Sequence, residues 1–337
     1  MDLRVAVIGV GHLGRHHARI LSSLPGVELA AVVDTNRARA DEMAAAHHTA
    51  ALYDARELTG RVDAVTIAVP TEQHAAVALP FLHAGVPALI EKPLARSLAE
   101  ADLVIAAAAQ AGAVLGVGHT ERFNPAVDAA RPLLTDPRFI EVHRLGTFPE
   151  RSLDIDVVFD LMIHDLDVVL SLVQSEIESI DAVGVPVLTD RIDIANARVR
   201  FANGCIANLT ASRISRDRVR KIRFFQPSAY VSIDYAAQKV ERYRLVKAAR
   251  PFDSAQGGPF DVAQGRPMPT IEGGDVEVAN EEPLQRELAD FVEAVRSNRA
   301  PRVDGAQGRR ALALAQQITD KMASDSQPRR RENTQTT

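Results

Sequence analysis

The sequence predicts an α/β protein of two domains, a doubly wound parallel sheet followed by an α/β domain whose sheet is mainly antiparallel. In the first 120 residues, short apolar strands alternate with helices of about 10 to 15 residues, a pattern typical of parallel sheets. Farther along, strand-like runs follow one another, with an Ala-Asn-Gly turn between two of them, which indicates antiparallel pairing. The 337 residues, of which 46% are hydrophobic, suffice for two cores.

Composition favours a small-molecule partner. The 39 Lys and Arg residues against 44 Asp and Glu give a net charge of -5, which offers no electrostatic argument for nucleic acid or an anionic membrane. The single cysteine, Cys205, excludes an intramolecular disulfide and fits a reducing compartment. No basic segment followed by a long apolar run is visible, so we expect a cytoplasmic protein without a membrane span.

The first βαβ unit carries a glycine motif. A strand from Leu3 to Ile8 leads into a helix from about His12 to Leu24, and a second strand, 27 to 33, ends at Asp34. Between the first strand and the helix lies G-x-G-x-x-G, the pattern in which glycines permit a tight turn, close approach of a pyrophosphate and close helix–strand packing. The unit therefore predicts a Rossmann domain whose loop binds a dinucleotide through Gly9, Gly11, His12, Leu13 and Gly14.

Asp34 decides which dinucleotide we expect. It follows the last motif glycine by about 20 residues, where a carboxylate accepts hydrogen bonds from the adenosine ribose. Its charge would repel a 2′-phosphate, so NAD is favoured over NADP, although Arg37 is nearby. The helix around His16 and His17 is expected to place this pair at the surface.

The alternation of strands and helices continues to about residue 120. Strands are predicted at 61–70, 85–93 and 113–119, and helices at about 72–84 and 98–111. Ligands of such sheets bind at the carboxyl ends of the strands. We therefore expect Pro70, Glu91 and Lys92 at the cofactor, and His119 with Arg122 and Asn124 at the substrate or nicotinamide.

The segment FDLMIHDLDVVL, residues 159–170, places charged groups in an apolar helix. On an α-helix, Asp160, His164 and Asp167 fall on one narrow stripe. The stripe either faces water or places a protonatable pair in a cleft. Three metal ligands on one stripe would converge poorly, so no metal is expected. Asp165 and Asp167 are expected to make structural hydrogen bonds or to face solvent.

The remaining chain contains strand-like runs, an insertion and two helices. The strip from Arg213 to Arg223 is strongly basic, and it forms either a solvated strand face or a contact for a substrate diphosphate, for which Arg213 is the candidate. Residues 251–274 contain a near-duplicate rich in Pro, Gly and Gln and are predicted to be a flexible insertion. The predicted division is a dinucleotide-binding domain (1–120), a substrate and oligomerisation domain (121–323) and a disordered tail (324–337).

With these motifs in place, the chain resembles the glucose-fructose oxidoreductase and inositol dehydrogenase family, Gfo/Idh/MocA. The resemblance rests on the glycine motif, the run AVPTEQHAAVALPFLHAGVPALIEKPLA with its Glu-Lys-Pro, and the Asp160-x-x-x-His164 pair. The resemblance implies a Rossmann domain, a second domain with an open sheet used for homodimer or homotetramer formation, and hydride transfer between a sugar or cyclitol hydroxyl and a nicotinamide. It also implies that His74 packs near the cofactor.

Further segments resemble the family members that oxidise the 3-hydroxyl of UDP-N-acetylglucosamine, a step toward the 2,3-diamino sugar of lipid A. These segments are GHTERFNPAV, FIEVHRLGTF and DLMIHDLDVVLSLV. Alcohol oxidation requires a base for the hydroxyl proton and a cation beside the oxygen. We predict His164 as the base, Lys92 as the donor to the reacting hydroxyl and Asp160 as the group that orients them. A dehydrogenase of a free sugar or inositol and a nonenzymatic NAD-sensing regulator remain alternatives.

Overall fold

The chain divides into two structural units that do not follow its sequence order. The computed structural model describes residues 2–148, 155–246, 260–261, 266–267 and 270–325. The first unit comprises Met1–Asn124, Ile163–Leu170 and Glu281–Gln317, and the second comprises Pro125–Met162, Ser171–Asn280 and Ile318–Thr337. The sequence division at residue 120 assigned those two later segments to the C-terminal domain, whereas they pack with the N-terminal strands.

The first unit is built on a parallel six-stranded sheet in the order β3-β2-β1-β4-β5-β6. Every neighbouring pair in it is parallel, which confirms the predicted doubly wound sheet. The order reverses between β1 and β4, and ligands of such sheets bind at this switch point. The strands are β1 (Leu3–Ile8), β2 (Val27–Val33), β3 (Ala50–Leu52), β4 (Ala64–Ile67), β5 (Ala88–Glu91) and β6 (Leu115–Gly118).

The connecting helices of this unit begin and end at recognisable caps. The side chain of Asn36 accepts a hydrogen bond from the Arg39 N–H, and Ser97 does the same for Glu100, so both helices start with one satisfied amide. Gly112 ends the latter helix in the left-handed conformation. The helices are α1 (Gly14–Leu21), α2 (Arg37–His47), α3 (His74–His83) and α4 (Leu98–Ala111).

A late helix, α7 (Pro283–Ser297), completes the core on one side of the parallel sheet. Its residues Leu288, Phe291 and Val292 are buried in the cluster that contains β1 and α1 side chains such as Val7 and Leu21. Each fully buried aliphatic or aromatic side chain of this kind stabilises the fold by about 1.5–3 kcal/mol. The first unit therefore depends on residues nearly 300 positions from its first strand.

The second unit contains an eight-stranded sheet in the order β16-β13-β12-β11-β7-β10-β9-β8. Only β7 and β10 pair in parallel among its described neighbours, so the sheet is mainly antiparallel, as predicted. The strands are β7 (Phe139–Leu145), β8 (Ile177–Val185), β9 (Ile194–Phe201), β10 (Ile206–Ser212), β11 (Val219–Gln226), β12 (Ala229–Asp234), β13 (Lys239–Val246) and β16 (Thr270–Val276); a small pair, β14 (Phe260–Asp261) and β15 (Arg266–Pro267), lies apart. Helix α5 (Pro125–Ala130) packs on β12 and β13.

The segment with the charged stripe begins as a π-helical turn, Val158–Met162, and continues directly as helix α6 (Ile163–Leu172). A π turn closes over five residues instead of four, so Asp160 is rotated away from the position that a uniform α-helix predicts. Single π turns are frequent at functional sites. Asp165 and Asp167 are buried, so neither faces solvent.

Two predicted regions lie largely outside the described residues. Most of the 251–274 insertion is not described, but its last residues, 270–274, belong to strand β16. The last helix, α8 (Gly305–Asp325), includes the first two residues of the predicted tail, and residues 326–337 lie outside the described part. Within the described ranges, no helix combines the length and the apolar character that a membrane span requires.

Candidate functional site

The glycine loop leaves space for a ligand at one of its three glycines. Gly9 has a φ of +84°, and a Cβ on Gly14 would lie 1.7 Å from the Gly9 carbonyl oxygen, so the fold itself requires both glycines. A Cβ on Gly11 would find no atom nearer than 3.8 Å, that atom being the Arg39 Nη1. The absence of a side chain at Gly11 therefore fits the close approach of a pyrophosphate. His12 and Leu13, which follow Gly11 in the chain, are exposed.

Asp34 stands at the end of β2, where the ribose of a dinucleotide would lie. Its buried carboxylate accepts hydrogen bonds from the N–H groups of Val10, at 3.1 Å, and Asn36, at 2.9 Å. The cation beside it is Arg39, whose Nη1 lies 3.2 Å from Asp34 Oδ2, and not Arg37 as the sequence suggested. Arg37 turns away and stacks on the ring of Tyr53.

His74 joins the loops that follow β4 and β5. Its Nε2 lies 2.9 Å from the Val69 carbonyl oxygen and its Nδ1 lies 2.9 Å from that of Pro93. Burial lowers the pKa of His74, and since a neutral imidazole carries one N–H, it can donate to only one of these two carbonyl oxygens at a time. The side chain thereby contacts the backbone of Val69, which precedes Pro70, and of Pro93, which follows Lys92. Pro70 and Lys92 are both predicted to contact the cofactor.

Glu91 is the last residue of β5 and its carboxylate is buried. Oε1 lies 3.0 Å from His17 Nε2, and Oε2 accepts a hydrogen bond from the Lys92 backbone N–H at 3.3 Å. The expectation that His17 lies at the surface is wrong, because its ring is 0% exposed. Its partner is 74 residues away in the chain, so the local pattern of α1 does not reveal the contact.

Lys92, His119 and His164 lie together in the first unit. The ring of His119, 1% exposed, faces the ring of His164 edge to face, with 6.5 Å between their centroids. Burial, together with the charges of Lys92 and Arg122, lowers the pKa of His119 to about 3, so its imidazole is neutral at physiological pH. Lys92 and His164 are each half-buried, so the group combines a cation and two imidazoles at the carboxyl ends of β5 and β6 and the start of α6.

Arg122 and Asn124 are engaged by neighbouring side chains. Arg122 Nη1 lies 3.0 Å from Asp167 Oδ1, and its Nη2 donates to Gln307 at 2.9 Å. Asp167 therefore makes the structural contact that was one of its two predicted roles. The Asn124 amide donates to Glu121 at 3.2 Å. The predicted substrate contacts of Arg122 and Asn124 stay predictions.

Two predicted site residues, Asp160 and Arg213, belong to the second unit. Asp160 is half-buried in the π turn, where its N–H donates to the Asp156 carbonyl. Arg213 is 1% exposed, and its Nε lies 2.8 Å from the buried carboxylate of Asp193. Its Nη1 donates to the Ile155 carbonyl oxygen at 2.6 Å. The guanidinium is thus held by the protein itself, and a substrate contact for Arg213 stays a prediction.

Sequence reasoning missed Glu287, which is 1% exposed on α7. It falls on the face of α7 that carries Leu284, Leu288 and Phe291, and a charged residue on an apolar helical face is the signal that identifies it. Gln307 and Arg39 were also missed. Both lie in segments whose sequence is typical of exposed surface. Only the fold brings Gln307 to Arg122 and Arg39 to Asp34.

Two family models match the chain. The model of the Gfo/Idh/MocA oxidoreductase family, described as an NAD-binding Rossmann fold, matches residues 3–119, and the Gfo/Idh/MocA C-terminal domain matches residues 135–227. The two matches fall on the parallel and the antiparallel sheets respectively.

Similar proteins cover nearly the whole chain. UDP-N-acetylglucosamine 3-dehydrogenase of Acidithiobacillus ferrooxidans is 39% identical over 94% of this chain and 96% of its own. A solved structure of UDP-N-acetylglucosamine 3-dehydrogenase GnnA from that organism superposes with a TM-score of 0.87 at 38% identity, over 97% of this chain and 100% of that one. The NAD-dependent scyllo-inositol 2-dehydrogenase of Bacillus subtilis is 27% identical over 89% of this chain and 88% of its own. The chain therefore belongs to the Gfo/Idh/MocA family of oxidoreductases.

Proposed function

We propose that the chain is an NAD-dependent dehydrogenase of a sugar nucleotide, which oxidises the 3-hydroxyl of UDP-N-acetylglucosamine to the 3-keto sugar. The observation that carries the proposal is the 39% identity, spread over 96% of a UDP-N-acetylglucosamine 3-dehydrogenase, in a chain that contains Lys92 and His164. The keto product is the kind of substrate that a transaminase converts to a diamino sugar, which fits a role in lipid A synthesis in the cytoplasm.

The glycine loop and Asp34 support NAD as the cofactor. Gly11 leaves room for a pyrophosphate, and the Asp34 carboxylate is aligned by two backbone N–H groups. An anion here accepts hydrogen bonds from ribose hydroxyls and repels a 2′-phosphate. Arg39 weakens this repulsion, so the preference for NAD over NADP rests on the buried carboxylate. When bound, the nicotinamide supplies the hydride acceptor.

The histidines and Lys92 support the proposed alcohol chemistry. The Lys92 ammonium donates a hydrogen bond to the reacting hydroxyl oxygen and stabilises the charge that develops there. His164 takes the hydroxyl proton, and Asp160 orients the reacting groups. His119 stays neutral beside them, because burial and Lys92 hold its pKa at about 3, and so adds no second positive charge.

The first experiment measures NADH formation from NAD and UDP-N-acetylglucosamine, coupled to a transaminase that removes the keto product. Lys92→Met and His164→Asn are expected to lower kcat by about 10²–10⁴-fold, the usual contribution of a positioned acid or base. The matched control, His83→Asn, alters an exposed histidine at the end of α3. Full activity in either site variant would contradict the assigned mechanism.

UDP alone distinguishes a sugar nucleotide from a free sugar. A nucleotide-sugar site binds UDP, so UDP is expected to compete with the substrate. Absence of competition, with NAD binding intact, would favour a dehydrogenase of a free sugar or inositol. NAD binding without turnover of any of these substrates would favour the nonenzymatic NAD-sensing regulator.

A homodimer or homotetramer through the eight-stranded sheet is the second part of the proposal. Aromatic side chains form a row across β7, β11, β12 and β13, and two of them are more than a third exposed. Adjacent ring centroids lie 5.2–6.2 Å apart. The row consists of Phe139, Phe225, Tyr230 and Tyr243. An exposed aromatic surface of this kind is typical of a protein interface.

A further inference from the structure

Three titratable side chains from distant parts of the first unit meet in its interior. His17 comes from α1, Glu91 from the end of β5 and Glu287 from α7, and they are 0%, 5% and 1% exposed. One imidazole nitrogen of His17 and one carboxyl oxygen of each glutamate all lie within 4.8 Å of one another. Two carboxyl groups buried this closely cannot both be ionised without a large electrostatic cost.

The position of the Glu91 carboxylate is fixed on several sides. It contacts the His17 ring at 3.0 Å and the Lys92 N–H at 3.3 Å. It also lies against the end of β6, because a Cβ on Gly118 would come within 3.0 Å of the Glu91 Cδ and Oε2. The carboxylate therefore holds the backbone from which the Lys92 side chain projects.

Glu287 faces mainly acidic groups. Its Oε1 accepts a hydrogen bond of 3.4 Å from the Thr120 hydroxyl, while the carboxyl groups whose charges act on it belong to Glu91, Asp167 and Asp290. Burial, and then the charge of Glu91, raise the pKa of Glu287 well above its ordinary value, against the smaller opposing effect of the hydroxyl. The Glu91 carboxyl group faces the His17 imidazole nitrogen and a backbone N–H, whereas the hydrogen bond described for Glu287 comes from a single hydroxyl.

We propose that Glu287 is a neutral carboxylic acid in the native protein, that Glu91 carries the negative charge of the cluster, and that Glu287 takes over this charge when Glu91 loses it. Under this reserve role of Glu287, one carboxylate always lies next to Lys92. Glu287 is then a positioning residue, since it acts through Glu91 and not on the substrate. If Glu91 loses its charge, one of the two main effects that keep Glu287 neutral disappears, burial being the other, and in this proposal Glu287 then ionises in place of Glu91. The consequence for Lys92 rests on the proposed dehydrogenase activity, whereas the neutral state of Glu287 does not.

The neutral state is tested by urea unfolding of the full chain between about pH 4 and pH 8, comparing wild type with Glu287→Gln. The unfolded state releases the Glu287 proton near its ordinary pKa of 4.5, and the native state retains it. Wild type therefore loses stability relative to Glu287→Gln as pH rises, and the ratio of its unfolding constant to that of the variant is expected to rise by up to tenfold per pH unit until the native pKa of Glu287 is reached. The control Glu293→Gln, exposed on the same helix, should give a flat ratio.

A flat ratio for Glu287→Gln as well would overturn the proposal, because Glu287 would then be ionised in the native protein. If that variant does not fold, infrared spectra of wild type decide: a protonated carboxyl band that persists at about pH 8.5, where Asp167 with its pKa of about 7 is ionised, supports the proposal, and its absence contradicts it. Elemental analysis is the third check. A stoichiometric metal ion that dissociates in Glu287→Gln would replace the proton and overturn the proposal.

The positioning role is tested by the pH dependence of kcat in Glu91→Gln, Glu287→Gln and the double variant. Loss of a neighbouring anion lowers the pKa of a lysine. The alkaline limb of the profile should stay in place for Glu287→Gln, move little for Glu91→Gln and move by the full amount in the double variant. Equal shifts for Glu91→Gln and the double variant would exclude a reserve role. Should wild type lack dehydrogenase activity, the proposed function fails and the unfolding experiment still decides the state of Glu287.

Discussion

The buried carboxylate of Asp193 offers the sharpest test of how the second unit uses Arg213. Oδ2 accepts hydrogen bonds from the N–H groups of Val187, Leu188 and Thr189, at 2.7–2.9 Å. Oδ1 lies 2.8 Å from Arg213 Nε, and the two side chains are 0% and 1% exposed. Burial alone would raise the pKa of Asp193, but the three N–H groups and Arg213 together hold it well below its usual range.

We expect Asp193→Asn to lower the free energy of unfolding by about 3–5 kcal/mol, the cost of leaving one partner of a buried ion pair without its counterion. An Asn oxygen can replace Oδ2, but its amide group then points a donor at the Arg213 N–H. Because the native pKa of Asp193 is depressed, its contribution is present above the unfolded value of 3.8 and is lost as pH falls below it. The difference between variant and wild type should therefore be constant from about pH 8 to pH 5.

The assay is urea unfolding followed by circular dichroism, with Glu272→Gln as the control. Glu272 pairs with Arg244 on the same sheet, but both side chains are more than half exposed, so its loss should cost less than about 1 kcal/mol. Equal costs for the two variants would refute the reasoning. If Arg213 is structural, Arg213→Lys should reduce stability and leave KM for the sugar nucleotide unchanged in the folded fraction; a raised KM would favour the predicted substrate contact.

Three further predictions concern the cofactor, the histidine pair and the sheet surface. Asp34→Ala should raise the affinity ratio of NADP to NAD by about 10-fold or more, because Arg39 is released to pair with a 2′-phosphate; calorimetry measures both, and an unchanged ratio would contradict the assignment. The pKa of His119 is lowered from 6.5 to about 3, so the unfolded state takes up this proton first as pH falls; in urea unfolding, wild type should lose about 1.4 kcal/mol of stability per pH unit below pH 6.5 relative to His119→Asn, and a constant difference between the two would contradict the reasoning. Phe225→Asp should reduce the mass measured by light scattering, whereas Leu103→Asp, exposed on α4, should not; equal masses for Phe225→Asp and wild type would count against the sheet interface.

The local signals of the first unit predicted its fold well. The turn at Gly9, the strand ending at Asp34 and the apolar strand before Lys92 each lie within a few residues of the chemistry they indicate, and the structure places them as expected. The charged stripe singled out His164, which the family resemblance then supported as the base, and the structure brings it beside His119.

What the sequence could not predict depends on contacts between distant residues. His17 reads as polar in its own helix, and only Glu91, 74 residues later, explains its burial. Arg213 reads as part of a basic strip until Asp193, which immediately precedes strand β9, is seen to pair with it. The π turn was missed because hydrophobic periodicity assumes a constant number of residues per turn, and five residues are too few to change that pattern visibly.

The assembly of the first unit from three separate chain segments has a consequence for its synthesis. Strand β1 leaves the ribosome early, but Leu288 and Phe291, which cover the same core cluster, are made nearly 300 residues later. Until then the apolar side of β1 and α1 lacks its native cover and is open to chaperones or to aggregation. A chimaera that exchanges only residues 1–120 with a relative would pair each core with a foreign α7, so a functional exchange must carry the segment Glu281–Gln317 along with it.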